Sequence, residues 1–276
     1  MPLRDFPIRD LPPLRENAQA WLEGRPPAPS TPRPAATVMI VRDGADGIEV
    51  FMLRRAATMA FGPSAMVFPG GGVDSRDGHD LPWAGPPVVA WATRLAADVD
   101  STRMLVVAAI REVFEECGVL FASAGESGPL VDVASERWQK IRQGLVDREL
   151  SLGAVLRSEH LVLRTDLLRA QAHWVTPEIE PRQFDARIFA AVMPEGQQAD
   201  GLTSEADHAG WFRAADVLAD RAAGRAILLP PTLVCLEDLA RAASAADFFS
   251  WEPVIRRMRP ALVRDDAGEP VLRLQL

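Results

Sequence analysis

Apolar positions fall into two periods along this chain, and the switches between them mark out its elements. Ala36-Thr37-Val38-Met39-Ile40-Val41 is an almost unbroken apolar run, which predicts a strand over 36–42 that is buried on both faces. Asp43-Gly44-Ala45-Asp46-Gly47 supplies turn chemistry, and residues 48–54 read as the second arm of a hairpin. A shorter strand over 65–68 runs into Pro69-Gly70-Gly71-Gly72. Further strands are expected over 172–176, 184–192 and 206–213, with a C-terminal hairpin about the turn 265–268. Helical spacing covers 88–97, 102–117, 214–223 and 231–243, and two or three helices fit between 131 and 170. Strands mixed with helices predict an α/β fold, as one domain over 35–276. Segments at about 75–100 and 121–170 read as insertions, the second as a cap over a cleft or as a homodimer surface. Residues 1–34 are rich in proline with one helical candidate over 14–22, a leader that packs on the surface or stays mobile.

The helix over 102–117, with Asp100 or Ser101 as its cap, departs from ordinary amphipathic order. Glu112, Glu115 and Glu116 stand at i, i+3 and i+4, so three carboxylates leave one face within a turn. Like charges so placed cost roughly 0.2–0.5 kcal/mol per pair, and Ile110, Val113, Phe114 and Cys117 indicate that the helix is otherwise buried. Arg111 can pair with Glu115 at i+4 and orient the group, but one guanidinium does not neutralise three carboxylates. Hard divalent cations with oxygen ligands are the natural partners. Gly118 then ends the helix.

With these residues in view, the chain resembles the Nudix hydrolases. Their box reads G-x5-E-x7-R-E-U-x-E-E-x-G-U, where U is aliphatic, and residues 111–119 fill every fixed position of its second half. Phe68-Pro69-Gly70-Gly71 is similar to the usual approach to the box, and Gly71 opens it. The first half then departs from the pattern. The glutamate position falls on Asp77, and the gap from there to Arg111 far exceeds seven residues. Asp77 serves in place of that glutamate, or Asp74 does, or the role is lost. An insertion within the box is shared with the branch that includes the peroxisomal coenzyme A diphosphatases. Leu53-Arg54-Arg55-Ala56 and residues 62–68 also match part of the coenzyme A motif, with five residues rather than three before Phe68.

The resemblance implies a Nudix-type α/β/α sandwich with a mixed sheet between helices, enlarged by helical insertions, and metal-dependent hydrolysis of a nucleoside diphosphate linked to a further moiety. It implies Mg2+ or Mn2+ held by Glu112, Glu115 and Glu116, with the Gly70 carbonyl as a further ligand. Glu205, six residues before Trp211, sits where several relatives place a metal ligand or base, with Glu178 and Glu180 as rivals. Arg54 or Arg55 would contact phosphate, since one of the two points inward in an alternating strand. The substrate expected is coenzyme A or an acyl-CoA; the alternatives are ADP-ribose, NADH or nucleotide sugars, or a catalytically silent nucleotide-binding regulator.

Composition narrows the remaining classes. A net charge of −8 argues against broad nucleic-acid or anionic-membrane binding, while a small anionic substrate can still be met locally. No apolar run approaches the ~18 residues of a membrane span. Proline and aspartate occupy the N-terminus where a signal peptide needs an apolar core, so a cytoplasmic location is expected. Cys117 and Cys235 lack disulfide or zinc spacing and read as buried thiols, and the four histidines are scattered. Trp174, Phe184 and Trp211 read as core.

Overall fold

Two arms of an apolar hairpin form the middle of the molecule. A computed structural model describes residues 3–9, 11–57, 62–203 and 206–275. Strand β1 (Leu3–Pro7) and helix α1 (Pro12–Leu22) lead into the hairpin β2 (Arg33–Gly44) and β3 (Gly47–Arg55). The short strands β4 (Met66–Val67) and β5 (Gly70–Gly72) follow, then β6 (Trp83–Ala84), α2 (Val88–Leu95) and α3 (Val99–Cys117). Next come β7 (Ala122–Ser123), α4 (Glu136–Val146), α5 (Leu152–Ser158) and β8 (Val162–Arg164). The chain returns to the sheet with β9 (Arg169–Val175), β10 (Phe184–Val192) and β11 (Ala206–Arg213). It closes with α6 (Ala214–Ala222), α7 (Pro230–Leu239), α8 (Ala245–Ser250), β12 (Arg257–Met258) and the hairpin of β13 (Ala261–Arg264) and β14 (Pro270–Gln275).

The main sheet is mixed, in the order β11-β3-β2-β10-β9-β12, with β4 on β3 and β5 on β2. Strand β10 runs parallel to β2 and antiparallel to β9. Period-2 alternation sends Ala36, Val38 and Ile40 into one core and Met39 and Val41 into the other, all fully buried. The first core holds α2, α3 and the apolar faces of α4 and α5; the second holds α1, α6, α7, α8 and the C-terminal hairpin. The result is the expected α/β/α sandwich. Among the described residues no helix is long and apolar enough to cross a membrane.

Several boundaries differ from expectation for local reasons. Helix α3 begins at Val99, a turn earlier than expected, because Asp98 is its cap: the Asp98 carboxylate accepts from the Ser101 N–H at 2.8 Å, and neither Asp100 nor Ser101 has that place. The N-terminal segment is built into the body. Strand β1 pairs antiparallel with β14, from Leu3 opposite Gln275 to Pro7 opposite Val271. Phe6, Ile8, Leu14 and Ala18 are buried in the second core. The stretch 121–170 carries the two helices α4 and α5, and its β7 and β8 form a small sheet with β6 that the sequence did not announce.

Candidate active site

Helix α3 and the glycine strand β5 bring the predicted carboxylates together. Along the last two turns of α3, Arg111, Glu112 and Glu116 are buried, at 8%, 8% and 7% exposure. Gly71 permits this. A Cβ at that position would stand 2.6 Å from the Glu112 carboxylate, so any side chain there would push the strand off the helix. One residue earlier, the Gly70 N–H donates to Glu116 Oε2 at 2.7 Å.

Arg111 is the hub. Its Nε and Nη2 donate to the two oxygens of Asp77 at 2.9 and 3.0 Å, and Nη2 also donates to the Gly72 carbonyl at 2.9 Å. Its Nη1 reaches Glu112 Oε1 at 2.7 Å and Glu115 at 3.2 and 3.3 Å. The geometry thus places Asp77, and not Asp74, on the box arginine. Asp77 lies in a single 3₁₀ turn, Ser75–Gly78, where its other contact is the Asp74 N–H at 2.8 Å. Asp74 instead caps that turn and takes a bidentate contact from Arg76, whose guanidinium holds it below the usual carboxylate range.

Electrostatics follow from burial. Desolvation pushes Glu112 up to about 7, against the pull of Arg111, and Glu115 adds to the rise by repulsion. Glu115 is raised for the same first reason. Burial works against the Arg111 guanidinium, yet Asp77, Glu112 and Glu115 outweigh it and hold its pKa above the ordinary arginine value. Arg111 touches three of the four carboxylates, so negative charge remains in excess in a low-dielectric pocket. That donor set, all hard oxygen, fits a divalent cation. As the side chains stand, Glu112 and Glu115 face Arg111 and Glu116 faces Gly70. Among the described residues no three ligand-type side chains converge on one point, so a cation would exchange with these contacts.

The carboxylates open into a cleft of about 940 Å3. On the α3 side its walls include Asp74, Arg76, Leu145, Val146 and Arg148; on the other face of the sheet they include Leu11, Leu14, Trp174, Ile188, Leu229 and Leu272. Arg55 lines the cleft, whereas Arg54 is exposed and stands outside it, opposite His208 of β11. Glu205 lies outside the described residues, although Thr203, two residues before it, is on the cleft wall. Glu178 is exposed and pairs with Arg259 at 2.9 Å. Glu180 lines the cleft, raised by burial and holding a hydrogen bond with Asn17. Trp174 is buried in the second core against Phe6, as expected of a packing residue, and Trp211 packs on Phe51 under the Arg42 guanidinium. Both cysteines are buried with their thiols pushed up by desolvation, so neither has the character of a nucleophile. The cleft walls from α1, α7 and the C-terminal hairpin were not foreseen; the apolar cluster Leu11-Pro12-Pro13-Leu14 was the one local sign of them.

The chain has relatives both in sequence and in fold. No family model matches the chain. A crystal structure of a Nudix hydrolase from Alicyclobacillus acidocaldarius superimposes with a TM-score of 0.66 at 31% identity, covering 82% of this chain and 99% of that one. Among curated proteins, the chain is 28% identical over 194 residues to the putative nudix hydrolase 7 of Caenorhabditis elegans, and this match takes in 70% of the chain but 56% of that relative's length. It is 21% identical over 268 residues to the acyl-coenzyme A diphosphatase NUDT19 of Xenopus laevis, covering 80% of the chain and 70% of the relative.

Proposed function

The chain belongs to the Nudix hydrolase superfamily and is an enzyme of that kind, and from this premise we propose that it uses a divalent cation, Mg2+ or Mn2+, to hydrolyse the diphosphate linkage of a coenzyme A derivative. The observation that carries the reading is the cleft. It joins three box glutamates to a long apolar wall on the other face of the sheet. At about 940 Å3 it stands at the upper end of the ~300–1,000 Å3 usual for small-molecule sites, more room than a simple nucleotide fills. A pantetheine arm, with or without an acyl thioester, suits that length and polarity. The name of the Xenopus laevis relative is in keeping with it.

In this reading Glu112, Glu115 and Glu116 would hold the cation, with the Gly70 carbonyl and Glu205 as further ligands. A divalent ion so held would neutralise charge on the diphosphate oxygens and lower the pKa of a bound water. The protein's own part is positional. Asp77 and the Gly72 carbonyl fix Arg111, Arg111 fixes Glu112 and Glu115, and the Gly70 N–H fixes Glu116. Arg55, which lines the cleft, is the arginine of the pair that would meet phosphate; Arg54 stands outside the cleft. Water adds at one phosphorus, the bridging P–O bond breaks, and two phosphomonoesters leave, one an adenosine bisphosphate and the other bearing phosphopantetheine.

The test is a panel of coenzyme A, an acyl-CoA, ADP-ribose, NADH, a diadenosine polyphosphate and a nucleotide sugar, with Mg2+ or Mn2+, products identified by mass. We expect kcat/KM for coenzyme A or its thioester to exceed that for ADP-ribose. Because this ratio reports differential transition-state binding, a value below one removes the coenzyme A assignment and leaves the diphosphatase reading in place. No turnover of any member would remove both.

A further inference from the structure

Two residues past the end of helix α4 stands an arginine whose backbone and side chain point to different tasks. Arg148, just past the cap Asp147, has φ of 60°. That left-handed position after a helix is the one glycine fills at no steric cost. Its backbone is pinned in place. The Arg148 N–H donates to the Leu145 carbonyl at 2.9 Å, and the Arg148 and Leu150 carbonyls accept from Arg76 Nη1 at 2.9 and 3.1 Å. Arg76 is itself held by Asp74, the cap of the turn that carries Asp77 to Arg111. Four hydrogen-bonded links, Arg148 to Arg76, Arg76 to Asp74, Asp74 to Asp77 and Asp77 to Arg111, therefore tie the Arg148 backbone to the box arginine.

The side chain is exposed on the cleft wall beside Leu145 and Val146. Other cations of that wall are occupied: Arg76 faces Asp74, and Arg111 faces Asp77, Glu112 and Glu115. The Arg148 guanidinium has neither a carboxylate partner nor a hydrogen bond among the described residues; of its chain neighbours, Asp147 accepts from Gln143. A site with four carboxylates repels a polyanionic substrate unless cations offset them, and a planar guanidinium fork matches phosphate oxygens. A glycine would satisfy the backbone, and an arginine stands there instead.

We propose that Arg148 is a substrate-binding residue that takes a phosphate group of the substrate, at the α4 side of the cleft and apart from the box glutamates. The inference rests on the diphosphatase reading above. Two phosphates offer the same chemistry, the diphosphate itself and a phosphomonoester elsewhere on the molecule. Coenzyme A and dephospho-coenzyme A differ by one phosphomonoester and so distinguish them.

The experiment compares wild type with Arg148→Ala, Arg148→Lys and Arg148→Gly on both substrates. Loss of one charge-assisted contact raises KM roughly tenfold or more while kcat stays within about twofold. Lysine keeps the charge and loses the fork, so it recovers part of the loss. Glycine is the decisive variant. It relieves the left-handed backbone and should raise the melting temperature by a few degrees, on the order expected for such a site, while losing KM as alanine does. If Arg148 reads the monoester, the loss appears with coenzyme A and not with dephospho-coenzyme A; if it reads the diphosphate, both suffer alike. A KM within twofold of wild type for the glycine and alanine variants, on both substrates, with turnover intact, overturns the inference and leaves the diphosphatase reading standing. A wild-type protein that hydrolyses neither these nor the other diphosphates overturns both.

Discussion

Replacing Glu112 by glutamine should make the cation-free protein more stable at pH 8 while abolishing hydrolysis. Burial lifts the Glu112 carboxyl from its ordinary 4.5 to about 7. Folded chains therefore keep that proton between about 4.5 and 7, where unfolded chains have lost it. Protons bound in excess by the folded state mean that stability falls as pH rises through this window. Crossing from 4.5 to about 7 at 1.36 kcal/mol per pH unit sets the fall at about 3 kcal/mol by pH 8, for a group that is 8% exposed. Glutamine does not ionise, so the variant lacks this contribution. It keeps an oxygen facing Arg111 Nη1, and weakening that bond costs about 1 kcal/mol at every pH, which moves the curve without tilting it. The difference in unfolding free energy, variant minus wild type, should thus climb by about 3 kcal/mol between pH 4.5 and 8. Urea unfolding in EDTA at four pH values measures it, and subtraction cancels the other titrating groups. A difference that stays level across the window, or falls, refutes the burial argument for Glu112. With millimolar Mg2+ present, wild type should regain stability by mass action and the variant should regain much less.

Other expectations follow from single contacts. Glu116→Gln should lose cation-dependent turnover and keep its melting temperature, since the amide oxygen still accepts from the Gly70 N–H; an unchanged rate at saturating Mg2+ takes Glu116 out of the site. Asp77→Asn breaks the bidentate contact to the buried Arg111, which keeps Glu112 and Glu115, and should cost about 1.5–3 kcal/mol in denaturant unfolding, with Asp74→Asn costing clearly less; equal losses would put the two aspartates on one footing. Phe6→Ala should cost about 3–5 kcal/mol, because Phe6 is 3% exposed in the second core; a loss under 1 kcal/mol would mark β1 as a loosely held strand.

What the sequence disclosed and what it hid divides by distance along the chain. The glutamate face of α3 was legible because helical spacing is local: residues three and four apart share a face whatever the tertiary context, and burial of their neighbours turned that face into an electrostatic problem with a chemical answer. The strand 36–42 was legible because a run apolar at both parities has one comfortable place, inside a sheet covered on both sides, and that is where β2 lies. The cap of α3 was misplaced because Asp98, Asp100 and Ser101 all have the chemistry to cap, and only the Asp98 carboxylate takes the Ser101 N–H. Asp74 and Asp77 could not be ranked either. Both are short acids in one loop, and what separates them is that one reaches an arginine 34 residues away while the other caps a turn. The leader was hardest. Its strand pairs with β14 some 270 residues on, and a five-residue strand with one buried side chain leaves too faint a period to predict a partner so remote. The same cause hid the cleft: the carboxylates come from one helix, but the walls that give the site its length come from α1, α7 and the C-terminal hairpin, gathered from both ends of the chain. Reaction class is therefore written in a local motif, whereas substrate choice is written in long-range packing, which is why the first could be read from residues 111–119 and the second has to be argued from the cleft.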